Sequence, residues 1–252
     1  MKSKADIRMR GFLKRTPVKT LLALIKEHSQ LLSSEEILTV EASGRILAQE
    51  IISTVNVPNF DRSAMDGYAL HAESTFGASI YNPLMFSIVG QVTPGERYEA
   101  EVLSGEALSI MTGGPLPKGA NAVLMAENAE LVGDQIQVID AASPGKHVGL
   151  IGEDIKRNQS ILNKARFLRP QDIGVLASIG LKSVKVVRKP EVELLITGNE
   201  LLKPGEQAGG VKIIDSNSVM LSPLIKRDGG LLKAVHHLPD DRDLLRKHLS
   251  ES

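Results

Sequence analysis

The stretch Val57-Pro58-Asn59-Phe60-Asp61-Arg62-Ser63-Ala64-Met65-Asp66-Gly67-Tyr68-Ala69 decides how the rest of the chain is interpreted. It places two carboxylates, an arginine and a serine within six positions, between Pro58 and Gly67. Asp-Gly is a strong signal for a hairpin turn, because both residues tolerate the positive φ that such turns need. The residue types alone leave two alternatives open, which are a turn between strands and a functional loop.

Composition narrows the classes of protein to which the chain can belong. Its 252 residues are 42% hydrophobic, which supports a buried core in one large domain or two and excludes a disordered protein. Lys plus Arg and Asp plus Glu number 30 each, so no net charge recruits nucleic acid or an anionic membrane. Cysteine is absent, so any bound metal needs oxygen or imidazole ligands. Disulfides and cysteine nucleophiles are excluded for the same reason.

The first residues carry no targeting pattern. Residues 1–15 are predicted to form a basic, poorly ordered arm, and no apolar segment follows that would make a signal peptide. No apolar run approaches the roughly 18 residues of a membrane span. The sequence therefore predicts a soluble protein, and the absence of cysteine fits the cytoplasm.

The sequence predicts helices near the start of the chain and from Pro170. Thr16 as N-cap and Pro17 at the first helical position predict a helix whose apolar face carries Leu21 and Ile25. Strands are expected at residues 36–41 and 50–55, with a short helix around 42–48 between them. A further helix is expected from Pro170, with Gly180 as its stop.

Residues 68–142 have a different pattern. Four short β-like runs, at 85–89, 107–111, 122–125 and 135–139, are separated by turns rich in glycine and proline. Evenly spaced short strands of this kind predict a small β-barrel or sandwich.

From Pro190 onward the order changes to strand, helix, strand, helix. A strand at 192–197 is followed by a helix from Ser216 or Asn217, a strand at 231–237 and a helix capped by Asp240 or Asp241. This order predicts parallel strands joined by helical crossovers. Two parallel strands cannot bury both their faces, so the α/β domain is expected to be incomplete in this chain.

Candidate functional side chains lie in the loops where strands end. Glu200 follows a predicted parallel strand, and Asp215 precedes a helix N-terminus, where sheets of this class bind ligands and anions. Both have a structural alternative, because Glu200 fits a solvated loop residue and Asp215 fits a helix cap. Thr112-Gly113-Gly114 is either a backbone nest for an oxyanion or a plain loop, and the plain loop is favoured.

Convergence of the carboxylates would require a counter-charge. If Asp66, Asp154, Glu200 and Asp215 met, a divalent cation such as Mg²⁺ would hold them together and bridge a phosphate-containing substrate. The histidines offer no alternative metal site, because His236 and His237 are adjacent in a strand and point to opposite faces. All six histidines are expected to be surface or packing residues.

Five motifs in the same order resemble those of the MoeA/gephyrin family, the molybdopterin molybdenumtransferases. Residues 58–69 resemble the family's signature segment, and the likeness extends over roughly residues 16 to 249. The other motifs are Ser43-Gly44-Arg45-Ile46-Leu47-Ala48, Ile110-Met111-Thr112-Gly113-Gly114-Pro115-Leu116-Pro117, Gly152-Glu153-Asp154-Ile155, and Thr197-Gly198-Asn199-Glu200-Leu201 with Asp215-Ser216-Asn217. Each motif alone is weakly specific, but their shared order identifies the chain as a member of the family.

The resemblance implies an α+β multidomain fold. After the arm at 1–15, residues 16–55 and 145–188 would form an elongated, discontinuous domain I, and residues 56–144 an inserted, mainly β domain II. Residues 189–252 would form a partial, MogA-like α/β domain III. The family's later α/β segments and its C-terminal barrel are not found, so the chain is expected to be an N-terminal portion. The family is dimeric, with active sites between domain II of one subunit and domain III of its partner.

The resemblance also implies an activity. Family members take adenylylated molybdopterin, cleave the nucleotide with a divalent metal, and insert molybdate into the dithiolene with release of AMP. The implied cofactor is Mg²⁺, and the implied substrates are molybdate and the adenylylated pterin. The implied partners are a second copy of the chain and the adenylylating protein of the pathway, with no nucleic acid and no membrane.

Residue roles carry over onto matching positions. Asp66, Glu200 and Asp215 fall on the family's catalytic and metal-binding positions. The residues expected to bind substrate are Asp61, Ser63, Thr112, Gly113, Asp154, Ser216 and Asn217. In this interpretation Asp66-Gly67 turns the chain at the entry to the β domain and presents Asp66 to the site.

Departures from the family pattern keep alternatives open. Where the family often has an arginine before Gly-Glu-Asp-Ile, residues 147–151 carry no positive charge, and Lys156 and Arg157 are candidate substitutes. Two turns that usually contain glycine read Lys156-Arg157-Asn158 and Asn163-Lys164-Ala165. The leading hypothesis is a molybdenumtransferase portion that is incomplete for turnover. The alternatives are a non-catalytic pterin-binding or scaffolding dimer and a Mg²⁺-dependent phosphohydrolase.

Overall fold

The computed structural model describes residues 15–251 and has a mixed α+β fold. All but the last residue of the predicted basic arm, 1–15, lies outside the described residues. The chain divides into two compact units. The β unit consists of Leu38–Ser43 and Gln49–Val184, and the α/β unit of the residues up to Ile37, Gly44–Ala48 and the residues from Lys185 on. The division into three domains stays a prediction.

Four α-helices and sixteen strands are found between residues 15 and 251. The helices are α1 (Val18–His28), α2 (Pro170–Ser178), α3 (Asn217–Arg227) and α4 (Arg242–Glu251). The strands are β1 (Ser34–Leu38), β2 (Ile51–Ile52), β3 (Arg62–Ser63), β4 (Gly67–Leu70), β5 (Leu84–Val92), β6 (Glu106–Ile110), β7 (Ala122–Met125), β8 (Ala129–Val132), β9 (Gln135–Val138), β10 (Val148–Gly149), β11 (Ser160–Leu162), β12 (Ser183–Val187), β13 (Glu191–Thr197), β14 (Leu201–Leu202), β15 (Ile213–Ile214) and β16 (Leu231–Leu238). Within this range no helix is long and apolar enough to cross a membrane.

A six-stranded sheet forms the centre of the β unit. Its order is β7-β4-β6-β5-β9-β8, and every neighbouring pair is antiparallel except β5 and β6. The four β-like runs of the sequence correspond to β5, β6, β7 and β9, which confirms them. The predicted barrel or sandwich is wrong, because β7 and β8 are the two edges of an open sheet.

Both faces of this sheet are covered. Successive side chains of a strand point to opposite faces, and in β4 the neighbours Ala69 and Leu70 belong to different buried clusters. Leu108 and Ala107 in β6 divide in the same way. Burying a side chain the size of Leu108 contributes about 1.5–3 kcal/mol. Burial on both sides explains why these strands are continuously apolar instead of alternating, and it makes β4 a rigid support for the loop before it.

The α/β unit contains the predicted parallel strands. β13 and β16 pair in parallel, and α3 lies between them in the chain and contacts both. A second parallel ladder joins β14 to β15, with Leu201 opposite Ile213. Asp241 caps α4, because its Oδ1 accepts hydrogen bonds from the backbone N–H groups of Asp243 and Leu244. The expected strand–helix–strand–helix order is confirmed.

Two predictions near the start of the chain are wrong. α1 begins at Val18 with Pro17, not Thr16, at the N-cap position, and the Pro17 carbonyl accepts from Thr20 and Leu21. The helix expected around 42–48 is absent from this described stretch. Gly44 has a φ of +77° there, which ends any helical path, and Leu47 instead forms a bridge to Val186.

The two turns that lack the family's glycines keep a glycine-like backbone. Asn158 and Ala165 both have a φ of +67°. Left-handed backbone is unfavourable for a residue with a Cβ, less so for asparagine. Both turns therefore have the left-handed backbone that usually favours glycine.

Candidate functional site

The loop that carries Asp66 lies between β3 and β4 and is fixed by backbone contacts. Residues 64–66 form a bend, and Gly67 then begins β4, which pairs with β7 on one side and with β6 on the other. Its φ is not positive, and what it supplies is space, since a Cβ here would lie 1.9 Å from the Leu124 carbonyl oxygen. The predicted turn at Asp66-Gly67 is therefore displaced to residues 64–66. No hairpin forms, because β3 pairs with β10 and β4 with β6 and β7.

Asp66 is an exposed carboxylate that Thr112 holds in its ionised form. The backbone N–H and the hydroxyl of Thr112 both donate to Asp66 Oδ1, each at 2.7 Å. These two hydrogen bonds, the backbone one foremost, lower the pKa of Asp66 below its ordinary value. Among the described residues, Asp66 Oδ2 has no hydrogen-bond partner. The carboxylate is thus charged at neutral pH and keeps one oxygen available to a ligand.

An open cavity of about 470 Å³ lies beside this loop. Its walls come from β3, β10 and the Thr112 loop, because β3 pairs with β10 and Ser63 exchanges two backbone hydrogen bonds with Gly113 and Gly114. The lining residues are Arg62, Ser63, Ala64, Thr112, Gly113, His147, Val148, Gly149 and Glu153. Ser63, Thr112 and Gly113 were predicted to bind substrate, and the structure brings them together.

The glycine loop does not present free backbone donors to this cavity. The N–H of Thr112 bonds to Asp66, that of Gly113 to the Ser63 carbonyl at 2.8 Å, and that of Gly114 to the Met111 carbonyl at 2.8 Å. An oxyanion nest at these three residues is therefore not formed, and the favoured alternative of a plain loop is correct. The Ser63 hydroxyl is also used locally, since Ser63 is buried and donates to the Met65 carbonyl.

Three lining residues with ionisable side chains were not predicted as site residues: Arg62, His147 and Glu153. Arg62 Nη2 lies 2.8 Å from Glu153 Oε1 and 3.6 Å from Asp154 Oδ2. This contact joins residues 91 positions apart. The sequence offered one signal for these two residues: Arg62 lies within the charged stretch, and Glu153 lies within a second polar motif.

Asp61 and Asp154 border the cavity without lining it. Asp61 Oδ1 accepts from the Ile151 N–H at 2.7 Å, and its carbonyl accepts from the Leu116 N–H at 2.8 Å. Asp61 therefore fixes two loops to each other. The side chain of Asp154 is 60% exposed, and its carboxylate contacts Arg62. Their roles in substrate binding stay predictions.

Asp215 belongs to the α/β unit and is buried at the start of α3. Its Oδ1 accepts from the backbone N–H groups of Asn217 at 2.9 Å and Ser218 at 3.0 Å. Hydrogen bonds from the Ser218 side chain first, and then from these amides and His237, lower the pKa of Asp215 to about 2. The structural alternative, a helix-capping carboxylate, is correct, and whether Asp215 also has a catalytic role stays a prediction.

His237 is the partner of the second Asp215 oxygen. Its Nε2 lies 2.8 Å from Asp215 Oδ2, while the neighbouring His236 lies 3.4 Å from Glu193 Oε2. The two imidazoles therefore have different partners, as expected for adjacent residues of a strand. Sequence analysis assigned His237 only a surface or packing role, because its pairing with Asp215 depends on β16 lying beside the loop that ends at α3.

Asp215 should make the stability of the α/β unit depend on acid pH. Its pKa is about 2 in the folded chain against an ordinary 3.8, so its contribution is complete above about pH 4 and is lost as the pH falls toward 2. That shift corresponds to roughly 2 kcal/mol. Asp215→Asn should therefore lower stability at pH 7 and flatten the acid limb by about that amount.

The measurement is urea unfolding between pH 7 and pH 2, followed by far-UV circular dichroism, which reports on this unit because it contains three of the four described helices. Asp134→Asn is the matched control, since Asp134 is exposed in the turn between β8 and β9 and its carboxylate has no described partner. An acid limb equally steep in Asp215→Asn and in the unmodified chain would contradict the prediction.

The remaining predicted residues also lie in the α/β unit. Glu200 is exposed, just after β13, and its carbonyl accepts from the Ile213 N–H at 2.9 Å. Ser216 and Asn217 are exposed at the start of α3. Within residues 15–251, no group of three or more histidine, aspartate or glutamate side chains is arranged to hold a metal ion. A metal site formed by Asp66, Glu200 and Asp215 stays a prediction.

Comparisons with known proteins agree on one family. The sequence model of the MoeA N-terminal region (domain I and II) matches residues 16–180. Molybdopterin molybdenumtransferase 2 of Mycobacterium tuberculosis is 33% identical over 201 residues, which cover 80% of this chain and 50% of that protein. Molybdopterin molybdenumtransferase of Staphylococcus epidermidis is 32% identical over 245 residues, which cover 94% of this chain and 58% of that protein. The chain thus spans about half the length of these relatives.

A solved structure shares the fold. The crystal structure of the molybdopterin biosynthesis MoeA protein from Pyrococcus horikoshii matches with a TM-score of 0.87 and 37% sequence identity. The match covers 94% of this chain and 64% of the other. The mixed α+β arrangement described above is therefore the arrangement seen in MoeA structures.

Proposed function

Because the chain belongs to the MoeA family, we propose that the protein acts in molybdenum cofactor biosynthesis as a molybdopterin molybdenumtransferase. In the proposed reaction, adenylylated molybdopterin loses its nucleotide as AMP and molybdate enters the dithiolene. The observation that carries the proposal is the Asp66–Thr112 pair, set in the signature stretch at the edge of an open cavity. The proposed assembly is a homodimer, with the adenylylating protein of the pathway as a further partner.

The chemistry of the donors supports a hard divalent cation at Asp66. Mg²⁺ takes oxygen ligands, and Asp66 offers an ionised carboxylate with a free Oδ2. Glu200 offers a second exposed carboxylate, whereas both oxygens of Asp215 already accept hydrogen bonds. When bound, Mg²⁺ would neutralise charge on the phosphoanhydride. In the proposed homodimer, the primary ligands are therefore Asp66 of one subunit and Glu200 of the partner subunit, and Asp215 of the partner subunit would join them while still holding α3.

The residues of the chain have separate tasks in this proposal. Thr112 fixes the rotamer of Asp66 and keeps it ionised, so that the carboxylate is in place before substrate arrives. Asp61 holds together the loops that shape the cavity. The dithiolene sulfurs of the pterin hold the inserted metal, so a chain without cysteine is compatible with the reaction.

The test is cofactor formation by the protein expressed from its whole reading frame. Adenylylated molybdopterin, molybdate and Mg²⁺ should yield the molybdenum cofactor and AMP, and removal of Mg²⁺ with EDTA should lower the rate by at least about a hundredfold. Release of AMP from ATP or ADP without any pterin would instead support a phosphohydrolase. A folded protein that forms no cofactor would contradict the proposal.

A non-catalytic pterin-binding or scaffolding dimer is the second candidate. The observation that favours it is Asp215, whose buried carboxylate is fully occupied by α3 and His237. This candidate predicts that adenylylated molybdopterin binds equally well with and without Mg²⁺. Calorimetry in the two conditions separates it from the enzyme.

A further inference from the structure

Arg62 is a cavity-lining group to which the proposed reaction assigns no role. It occupies β3, and its side chain is 39% exposed at the wall of the 470 Å³ cavity. It is the one lining residue whose side chain is always positively charged. A cavity of this size is within the range that binds small molecules.

Most of the guanidinium is available for binding. An arginine has five N–H donors on three nitrogens, and Arg62 uses Nη2 for both of its carboxylate contacts. Among residues 15–251, no group pairs with Nε or Nη1. Their N–H groups point to different sides of the planar guanidinium, and each can donate a charge-assisted hydrogen bond to an oxygen of a tetrahedral anion.

Glu153 holds the fork in one orientation. Its Oε1 pairs with Arg62, and its Oε2 accepts from the Leu150 N–H at 3.2 Å. Gly149 allows this close approach, since a Cβ at that position would lie 2.8 Å from Glu153 Oε1. Two hydrogen bonds therefore hold the Glu153 carboxylate, and Arg62 is oriented through it before any ligand binds.

The other donors around the cavity are already used. The backbone N–H groups of Thr112 and Gly113 bond within the chain, and the Thr112 hydroxyl donates to Asp66. An anion entering the cavity would find Arg62 and the His147 ring as its side-chain donors. The geometry thus concentrates anion recognition on Arg62.

We propose that Arg62 binds a phosphate group of the substrate through the guanidinium N–H groups that its carboxylate contacts leave free, and that Glu153 is the residue that positions it. The proposal rests on the proposed function only in naming the adenylylated pterin as the source of the phosphate. Molybdate is the other tetrahedral oxyanion of the same reaction, and it could reach Arg62 by the same chemistry.

The first experiment is calorimetry of this chain with inorganic pyrophosphate at low salt. Pyrophosphate should bind, and Arg62→Gln should weaken binding by at least about tenfold, because the positive charge and its charge-assisted hydrogen bonds to the anion are lost. Arg62→Lys should fall between them, since it keeps the charge without the fork. Arg227→Gln is the control, because Arg227 is an exposed arginine on α3 paired with Asp228. Thermal melting of each variant checks the fold, which an exposed ion pair supports only slightly.

Three outcomes would overturn the assignment to Arg62. They are no pyrophosphate binding by the unmodified chain, equal binding by folded Arg62→Gln, and equal loss in Arg227→Gln. Arg62-dependent binding of molybdate without binding of pyrophosphate would overturn the choice of phosphate. Because these measurements need no turnover, they can succeed where cofactor formation fails, and the two proposals are judged separately.

The role of Glu153 has its own readout. Glu153→Gln keeps an acceptor for Arg62 but removes a negative charge beside the anion, so binding should be as tight as in the unmodified chain or tighter. Glu153→Ala frees the guanidinium and should weaken binding several-fold relative to Glu153→Gln. Tighter binding in the alanine variant than in the glutamine variant would show that Glu153 only repels the anion.

Discussion

Asp66→Asn is expected to lower the rate of molybdate-dependent cofactor formation by at least about a hundredfold while the chain stays folded. Asparagine keeps an oxygen that can accept from the Thr112 N–H and hydroxyl, so the loop geometry is retained. What disappears is the negative charge that Thr112 stabilises and that the proposed Mg²⁺ requires. The change therefore tests the contribution of the Asp66 charge while the geometry of the loop is retained.

The control for this experiment is Asp134→Asn, which removes one exposed negative charge from the same unit at a turn between β8 and β9. Rates should be measured at saturating and limiting Mg²⁺, because loss of a metal ligand raises the Mg²⁺ concentration needed for half-maximal rate. If Asp66→Asn and Asp134→Asn form the cofactor at the same rate, Asp66 is not a catalytic or metal-binding residue.

The elements that could be predicted from the sequence are those set by local pattern. β5, β6, β7 and β9 were found because each is a short apolar run between glycine- or proline-rich turns. The parallel pairing of β13 with β16 followed from the strand–helix–strand order, which leaves few topologies. The short helix expected at 42–48 does not form, because Gly44 adopts a positive φ and Leu47 then bridges to Val186 in β12.

The sequence motifs identified residues of the candidate site, but they did not show which of those residues contact each other. Asp66 and Thr112 were both named, yet their direct hydrogen bond depends on the loop after β6 meeting the loop before β4, which only the sheet order fixes. The pairing of Arg62 with Glu153 depends on the β3–β10 ladder. Contacts between side chains that are tens of residues apart depend on the tertiary structure. The spacing of residues in the sequence does not give their distance in space.

In the signature stretch, Gly67 is required for a different reason from the one that the sequence suggested. Gly67 was assigned to a turn, because Asp-Gly favours positive φ. The structure places it inside β4, where the requirement is the absence of a side chain beneath the β7 backbone. Asp66 thus lies where it does because Gly67 lets β4 and β7 approach closely.

Gly67→Ala is expected to destabilise the β unit by about 3 kcal/mol or more. The added Cβ would lie 1.9 Å from the Leu124 carbonyl oxygen and 3.0 Å from the Ala126 nitrogen, both backbone atoms of the segment paired with β4. Neither can move aside as a flexible side chain could. The segment must shift as a whole, in a sheet that is buried on both faces.

Gly174→Ala is the matched control, and its effect should have the opposite sign. Gly174 lies inside α2, its φ is not in the left-handed region, and a Cβ there would meet no atom within 4 Å. Alanine should therefore stabilise the helix by about 0.5–1 kcal/mol. Urea unfolding followed by tyrosine fluorescence reports on the right unit, because Tyr68, Tyr81 and Tyr98 are the chain's three tyrosines and all lie in the β unit. Equal stability of the two alanine variants would mean that the close contact between Gly67 and β7 does not constrain the loop that presents Asp66.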